Sequence, residues 1–196
     1  MKKITTLFLI GAIIFNIDSN AYAKQLQEND KNSYENASEE SDEDVLLSDA
    51  VLISSDTYTE GGKEVICDIY LKPDGTKVID TLAIDSLTVY STQGTKSATR
   101  TREITGWGTV TLTANFTWYT EIPFSYVKCT YADYSFSLDS KVALNNIRLS
   151  YTKDYVSIGK ASAKVSYYMY NKTFPAQFID SSFKITCTDT GVIGTE

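Results

Sequence analysis

From Gly108 to Thr120 the side chains alternate without a break. Val110, Leu112, Ala114, Phe116 and Trp118 share one parity, and Thr111, Thr113, Asn115 and Thr117 share the other. A strand sends successive side chains to opposite faces, so this segment has one apolar face and one polar face. A helix would scatter the same apolar residues around its circumference. Eight of the 23 residues from 98 to 120 are threonine, whose branched β-carbon favours extended backbone.

The same period recurs on either side. Val65, Cys67, Ile69 and Leu71 alternate, and Lys72-Pro73-Asp74-Gly75-Thr76 then supplies the chemistry of a hairpin turn: a preset φ, a carboxylate that bonds forward, and a glycine free to take positive φ. Gly106-Trp107-Gly108 interrupts the pattern as a bulge or corner. Phe124 to Leu138 changes parity part-way, which a bulge near Ala132-Asp133 would reconcile. Val142 to Tyr151, Lys160 to Tyr170 and Phe178 to Thr188 complete eight or nine strands with no long amphipathic helix. The expected fold is all-β, an antiparallel β-sandwich of the general build of immunoglobulin-like domains, with a partly closed barrel as the alternative.

The strands begin only at about residue 50. Met1-Lys2-Lys3, the apolar run Ile4 to Phe15 and Ala21-Tyr22-Ala23 have the form of a secretory signal peptide, so residues 1–23 are expected to be removed and the chain exported. Residues 24–49 carry nine acids against Lys24 and Lys31, and too few large apolar side chains to offset the cost of ordering them. They read as a disordered acidic segment ahead of a single all-β domain, 50–196. That domain holds 15 acids and 14 bases. Its only local basic concentration is Lys96, Arg100 and Arg102, expected on a solvated sheet face. A near-neutral body argues against a nucleic-acid partner, which needs clustered cations. After signal removal, no stretch approaches the length of a membrane helix.

The chain has no histidine, which excludes imidazole bases and ligands, and no cofactor or metal is expected. Cys67, Cys129 and Cys187 each lie in an alternation that points them to an apolar face. Three buried thiols is the plainer reading, with one disulfide of unassigned pairing the alternative for an exported chain. Glu103 and Glu121 flank the Trp107–Trp118 stretch and are the least poor carboxylate pair for a glycan hydrolase, which needs two acids within about 5–10 Å. The alternating residues 109–118 also match the length of a membrane-spanning strand, so a small pore-forming protein is a further alternative.

Without a catalytic set, the aromatic residues carry the functional reading. Trp107, Tyr119, Tyr168 and Tyr170 are expected to be solvent-facing and form a tentative ligand-binding patch, since flat rings bind sugars and proteins at low entropic cost. In general build the chain resembles the small secreted β-sandwich proteins of Gram-positive bacteria, with a Lys-Lys leader, an acidic stretch and Thr- and Tyr-rich strands. That resemblance covers the whole chain, rests on no diagnostic motif and assigns no residue. The expectation is a secreted, non-catalytic binding protein for envelope glycan or another protein.

Overall fold

The computed structural model describes residues 46–85, 92–121 and 124–195. The leader and the acidic residues up to 45 lie outside the described residues. Nine strands of nine to fifteen residues appear: β1 (Val51–Glu60), β2 (Lys63–Leu71), β3 (Lys77–Asp85), β4 (Gln93–Ile104), β5 (Gly108–Glu121), β6 (Phe124–Leu138), β7 (Val142–Tyr151), β9 (Lys160–Asn171) and β10 (Phe178–Thr188). Two two-residue strands, β8 (Val156–Ser157) and β11 (Ile193–Gly194), complete the set. All pairings are antiparallel. They form a seven-stranded sheet, β1-β2-β3-β4-β5-β6-β8, and a four-stranded sheet, β11-β10-β9-β7. The end strands β1 and β8 do not pair, so no barrel closes. The two-layer build is that expected, but the larger sheet is a meander of consecutive hairpins, without the strand exchange of immunoglobulin domains.

Local chemistry sets the turns and the register. Between β2 and β3, Gly75 takes a φ of 85° and its N–H donates to the Lys72 carbonyl at 3.0 Å. The Asp74 carboxylate accepts from the Thr76 N–H at 2.8 Å, closing the predicted hairpin. Gly106-Trp107-Gly108 is the β4–β5 turn, with Trp107 N–H bonded to the Ile104 carbonyl at 3.0 Å. The parity change in β6 is a bulge at Thr130, two residues before the expected place. Asn115 pairs with Tyr131 and Phe116 with Cys129, so Thr130 is left over, and Cys129 and Ala132 both face inward.

The four-stranded sheet packs chiefly on β4, β5 and β6. From the larger sheet, Ile104, Val110, Leu112, Ala114, Phe116 and Trp118 enter the core. They meet Ala161, Ala163, Val165, Tyr167, Met169, Phe183 and Ile185 from β9 and β10. The apolar parity of 109–118 is therefore spent between the sheets. Its threonine parity covers the outer face, where Thr99–Thr113 and Thr101–Thr111 pair across strands through their hydroxyls at 3.4 and 3.2 Å.

Three expectations are corrected here. Arg100 and Arg102 face the core, where Asp80 receives them. Arg100 Nε and Nη2 donate to its two oxygens at 2.9 and 2.7 Å, and Arg102 Nη2 donates to one of them at 2.6 Å. Both guanidiniums also lie over the Phe183 ring. Their outer arms serve β10, which among the described residues pairs with β11 only at Thr186 and Cys187 on that side. Arg100 Nη1 donates to the Lys184 carbonyl at 2.8 Å and Arg102 Nη1 to the Ser182 carbonyl at 3.5 Å, so cations satisfy carbonyls along that side of the strand.

The second correction concerns Cys67. Register places it opposite Thr81, on the outer face, half-buried, with Thr81 Oγ1 at 3.8 Å from its sulfur. The β2 alternation was real, but that edge of the large sheet extends past the four-stranded sheet, and its other parity, with Ile66 and Tyr70, packs toward the core. Cys129 and Cys187 are buried thiols. Burial pushes the first up to about 11 and the second up to about 12.

The third correction concerns Leu46. Counted with the acidic segment in the sequence reading, it is buried in the core, and its carbonyl accepts from Lys72 Nζ at 3.1 Å. The same ammonium pairs with Asp49 at 2.9 Å, so Leu46 and Asp49 are both tied to the strands.

Candidate functional site

At the end of the large sheet where β4 starts, β5 ends and β6 starts, register brings side chains of distant sequence together. Gln93 pairs with Tyr119, Tyr119 with Tyr126, Thr95 with Thr117, and Tyr126 with Ser157 of β8. Directly paired residues share a face, so Gln93, Thr95, Thr117, Tyr119 and Tyr126 all stand on the outer side. Tyr155, just before β8, leans over them and meets Tyr126 edge-on at 6.1 Å between centroids. Lys128 Nζ sits 4.2 Å from the centre of the Tyr155 ring. The result is an open groove of about 690 Å³ lined by Gln93, Gly94, Thr95, Thr117, Trp118, Tyr119, Tyr126 and Tyr155.

On the inner face of the strands that carry this groove, two glycines fit the tryptophan into the core. Trp118 is almost fully buried, and a β-carbon at Gly94 would lie 2.4 Å from its indole ring. A β-carbon at Gly191 would lie 2.5 Å from the same ring, and Gly191 holds a φ of 78°. The indole is thus held between two glycine backbones, with Lys96 Nζ 6.0 Å from the ring centre and bonded to the Gly191 carbonyl at 3.2 Å. Among the described residues, the buried Trp118 Nε1 has no acceptor. The groove on the outer face has aromatic walls. The polar groups of the lining are threonine hydroxyls, phenols and an amide, a set that forms hydrogen bonds but holds no nucleophile–base pair.

The four aromatic residues singled out from the sequence do not form one patch. Tyr119 is in the groove. Tyr168 and Tyr170 stand on the outer face of the four-stranded sheet, on the opposite side of the sandwich, with Tyr168 stacked on Phe178 at 5.3 Å and 24°. Trp107 lies in the β4–β5 turn, packed against the core and lining a second depression of about 350 Å³ with Asp139, Lys141 and Asn171. Tyr126 and Tyr155 were missed. Tyr126 was read only for its parity, and Tyr155 lies in a short connection whose position no periodicity predicts.

The glutamate pair is also separated. Glu103 pairs with Thr109, while Glu121 lies at the far end of the same strand β5, twelve residues on. At 3.3–3.4 Å per residue that is about 40 Å, several times the reach of a catalytic carboxylate pair. Among the described residues, no three of Asp, Glu and Cys gather where they could hold a metal ion. No protein-family model matches the chain, and no curated protein or solved structure matches it either.

Proposed function

We propose that the chain is a secreted, non-catalytic binding protein that takes a glycan into the groove of Tyr119, Tyr126 and Tyr155. The observation that carries this reading is the groove itself. Its volume of about 690 Å³ falls in the range of ligand sites, its walls are three tyrosines, and its floor offers paired hydroxyls at Thr95 and Thr117, 3.2 Å apart. A sugar ring has apolar C–H faces that lie on aromatic rings and hydroxyls that pair with threonine, glutamine and phenol groups. The groove residues Thr95, Thr117, Tyr119 and Tyr126 stand on paired strands of the large sheet, so little backbone ordering is needed on binding.

The test is retention on immobilised envelope glycans. Tyr119→Ala with Tyr155→Ala is expected to weaken binding at least 10-fold, a loss of about 1.4 kcal/mol. Equal retention of the variant and the parent would refute the groove. Turnover of the glycan would move the chain to the hydrolase class, and dye release from liposomes would move it to the pore class.

A further inference from the structure

We infer that the sugar taken by the tyrosine groove is an acidic one, whose carboxylate is received by Lys128. The inference rests on the glycan reading of the groove and names the class of glycan. The residues lining the groove are all uncharged, and Lys128 is the cation that register places beside them. It pairs with Thr117, which pairs with Thr95, so one row across β4, β5 and β6 runs from two groove hydroxyls to an ammonium. Tyr126, two positions before Lys128 on β6, stands on the same face and in the groove wall.

The Lys128 side chain reaches that wall. Its Nζ lies 4.2 Å from the centre of the Tyr155 ring, the same ring that meets Tyr126 edge-on. The ring's quadrupole holds the cation in place, but a ring face is no lone pair, so the ammonium keeps its capacity to donate to an oxygen. Among the described residues, no carboxylate stands within ion-pair distance of Lys128. Asp154, beside Tyr155 in sequence, is exposed and lies outside that distance. By register the acids at outward positions of β5 and β6, Glu121 and Asp133, fall four positions of β5 to either side, about 13 Å away. One ammonium suits a monoanion. A phosphate ester carries nearly two charges and three acceptor oxygens, more than one lysine answers. A carboxylate takes up Lys128 alone, while its sugar ring stays on the tyrosines and its hydroxyls on Thr95 and Thr117.

The experiment measures the affinity of the chain from Lys24 onward for oligogalacturonate, oligomannuronate and sialyllactose, each beside its own methyl ester. The ester keeps the ring and removes the charge. In at least one pair the acid should bind about 5-fold tighter than its ester, the upper end for one exposed ion pair. Lys128→Gln should bring that ratio to parity or below, because the net charge of −7 then opposes an anion with nothing local to offset it. Retained binding of the ester reports that the variant is folded. Lys128→Arg keeps the charge and should keep the preference. If Lys128 only braced Tyr155 against β6, its removal would weaken acid and ester alike and leave the ratio unchanged, which overturns the inference. Equal binding of acid and ester by the parent in every pair, with both weakened by Tyr119→Ala/Tyr155→Ala, overturns it while the groove reading stands. Absence of binding to every sugar, or no weakening in that double variant, refutes the groove and this inference with it. Tighter binding of glucose 6-phosphate than of every carboxylated sugar overturns the choice of a carboxylate.

Discussion

Replacing Asp80 by Asn keeps the side-chain shape and removes the one carboxylate bonded to two buried guanidiniums. The three hydrogen bonds at 2.9, 2.7 and 2.6 Å lose their ionised acceptor, and the amide that replaces one oxygen donates where a guanidinium also donates. Arg100 and Arg102 then remain between the sheets without this carboxylate, with side-chain exposures of 8% and 0%. Breaking a buried pair from one side costs about 3–5 kcal/mol, since the abandoned charge keeps its desolvation penalty. For a body of this size that is roughly a third or more of total stability, or a fall in Tm of about 6–20 °C. Urea unfolding followed by tryptophan fluorescence measures it. The pH dependence supplies an independent check. Burial alone would raise the Asp80 carboxyl, but hydrogen bonds and charge from Arg100 and Arg102 outweigh burial and hold it below the ordinary carboxylate range. A lowered folded-state value means that this stabilisation is complete above the unfolded carboxylate value near 4 and is lost as pH falls through the folded value. The parent should therefore weaken below about pH 4 more steeply than Asp80→Asn. A loss under 1 kcal/mol, with parallel pH profiles, would refute the account of the triad.

Leu46→Ala should cost about 2–5 kcal/mol, because Leu46 is a core residue despite its acidic neighbours; a change within 0.5 kcal/mol in the same urea assay would return it to the tether. Gly94→Ala and Gly191→Ala each drive a methyl into the Trp118 ring and should cost about 1–3 kcal/mol with an altered Trp118 emission; unchanged emission and stability would contradict this packing of the indole in the core. In the reduced native chain at pH 8, Cys67 should react with a disulfide reagent while Cys129 and Cys187 stay protected, held protonated by burial at about 11 and about 12. Three fast thiols in the folded state would contradict this.

Strand positions were legible because alternation is a local property. The β5 core face follows from five residues in sequence, and the Lys72–Thr76 turn from its Pro-Asp-Gly chemistry. What alternation does not carry is which face of a strand meets the other sheet, or whether a second sheet lies there at all. Arg100 and Arg102 share the inward parity with Ala98 and Ile104, yet charge favoured a solvated face, and Asp80, brought alongside by β3–β4 pairing, helps make burial tolerable. Cys67 failed for the opposite reason, since β2 has apolar residues on both parities near the edge of a sheet wider than its cover. The tyrosine groove was hidden because it joins residues far apart in sequence, and register alone brings them together.

The hairpin order of the large sheet has a consequence for how the chain comes to be folded. Strands β2 to β6 each pair with their immediate predecessor, so the sheet can zip up by local contacts as the chain emerges. Its apolar inner face, however, is covered by β9 and β10, whose last core residue, Cys187, follows Leu138 by 49 positions. At 5–20 residues per second, synthesis leaves that face open for roughly 2–10 s. During that interval the nascent sheet is a wide hydrophobic plate with a free edge, the form most exposed to aggregation and to capture by a holding chaperone. A chain ending at Leu138 should accordingly bind the dye ANS strongly while the complete chain does not. Weak dye binding by the shortened chain would mean that the large sheet forms only when the small one arrives.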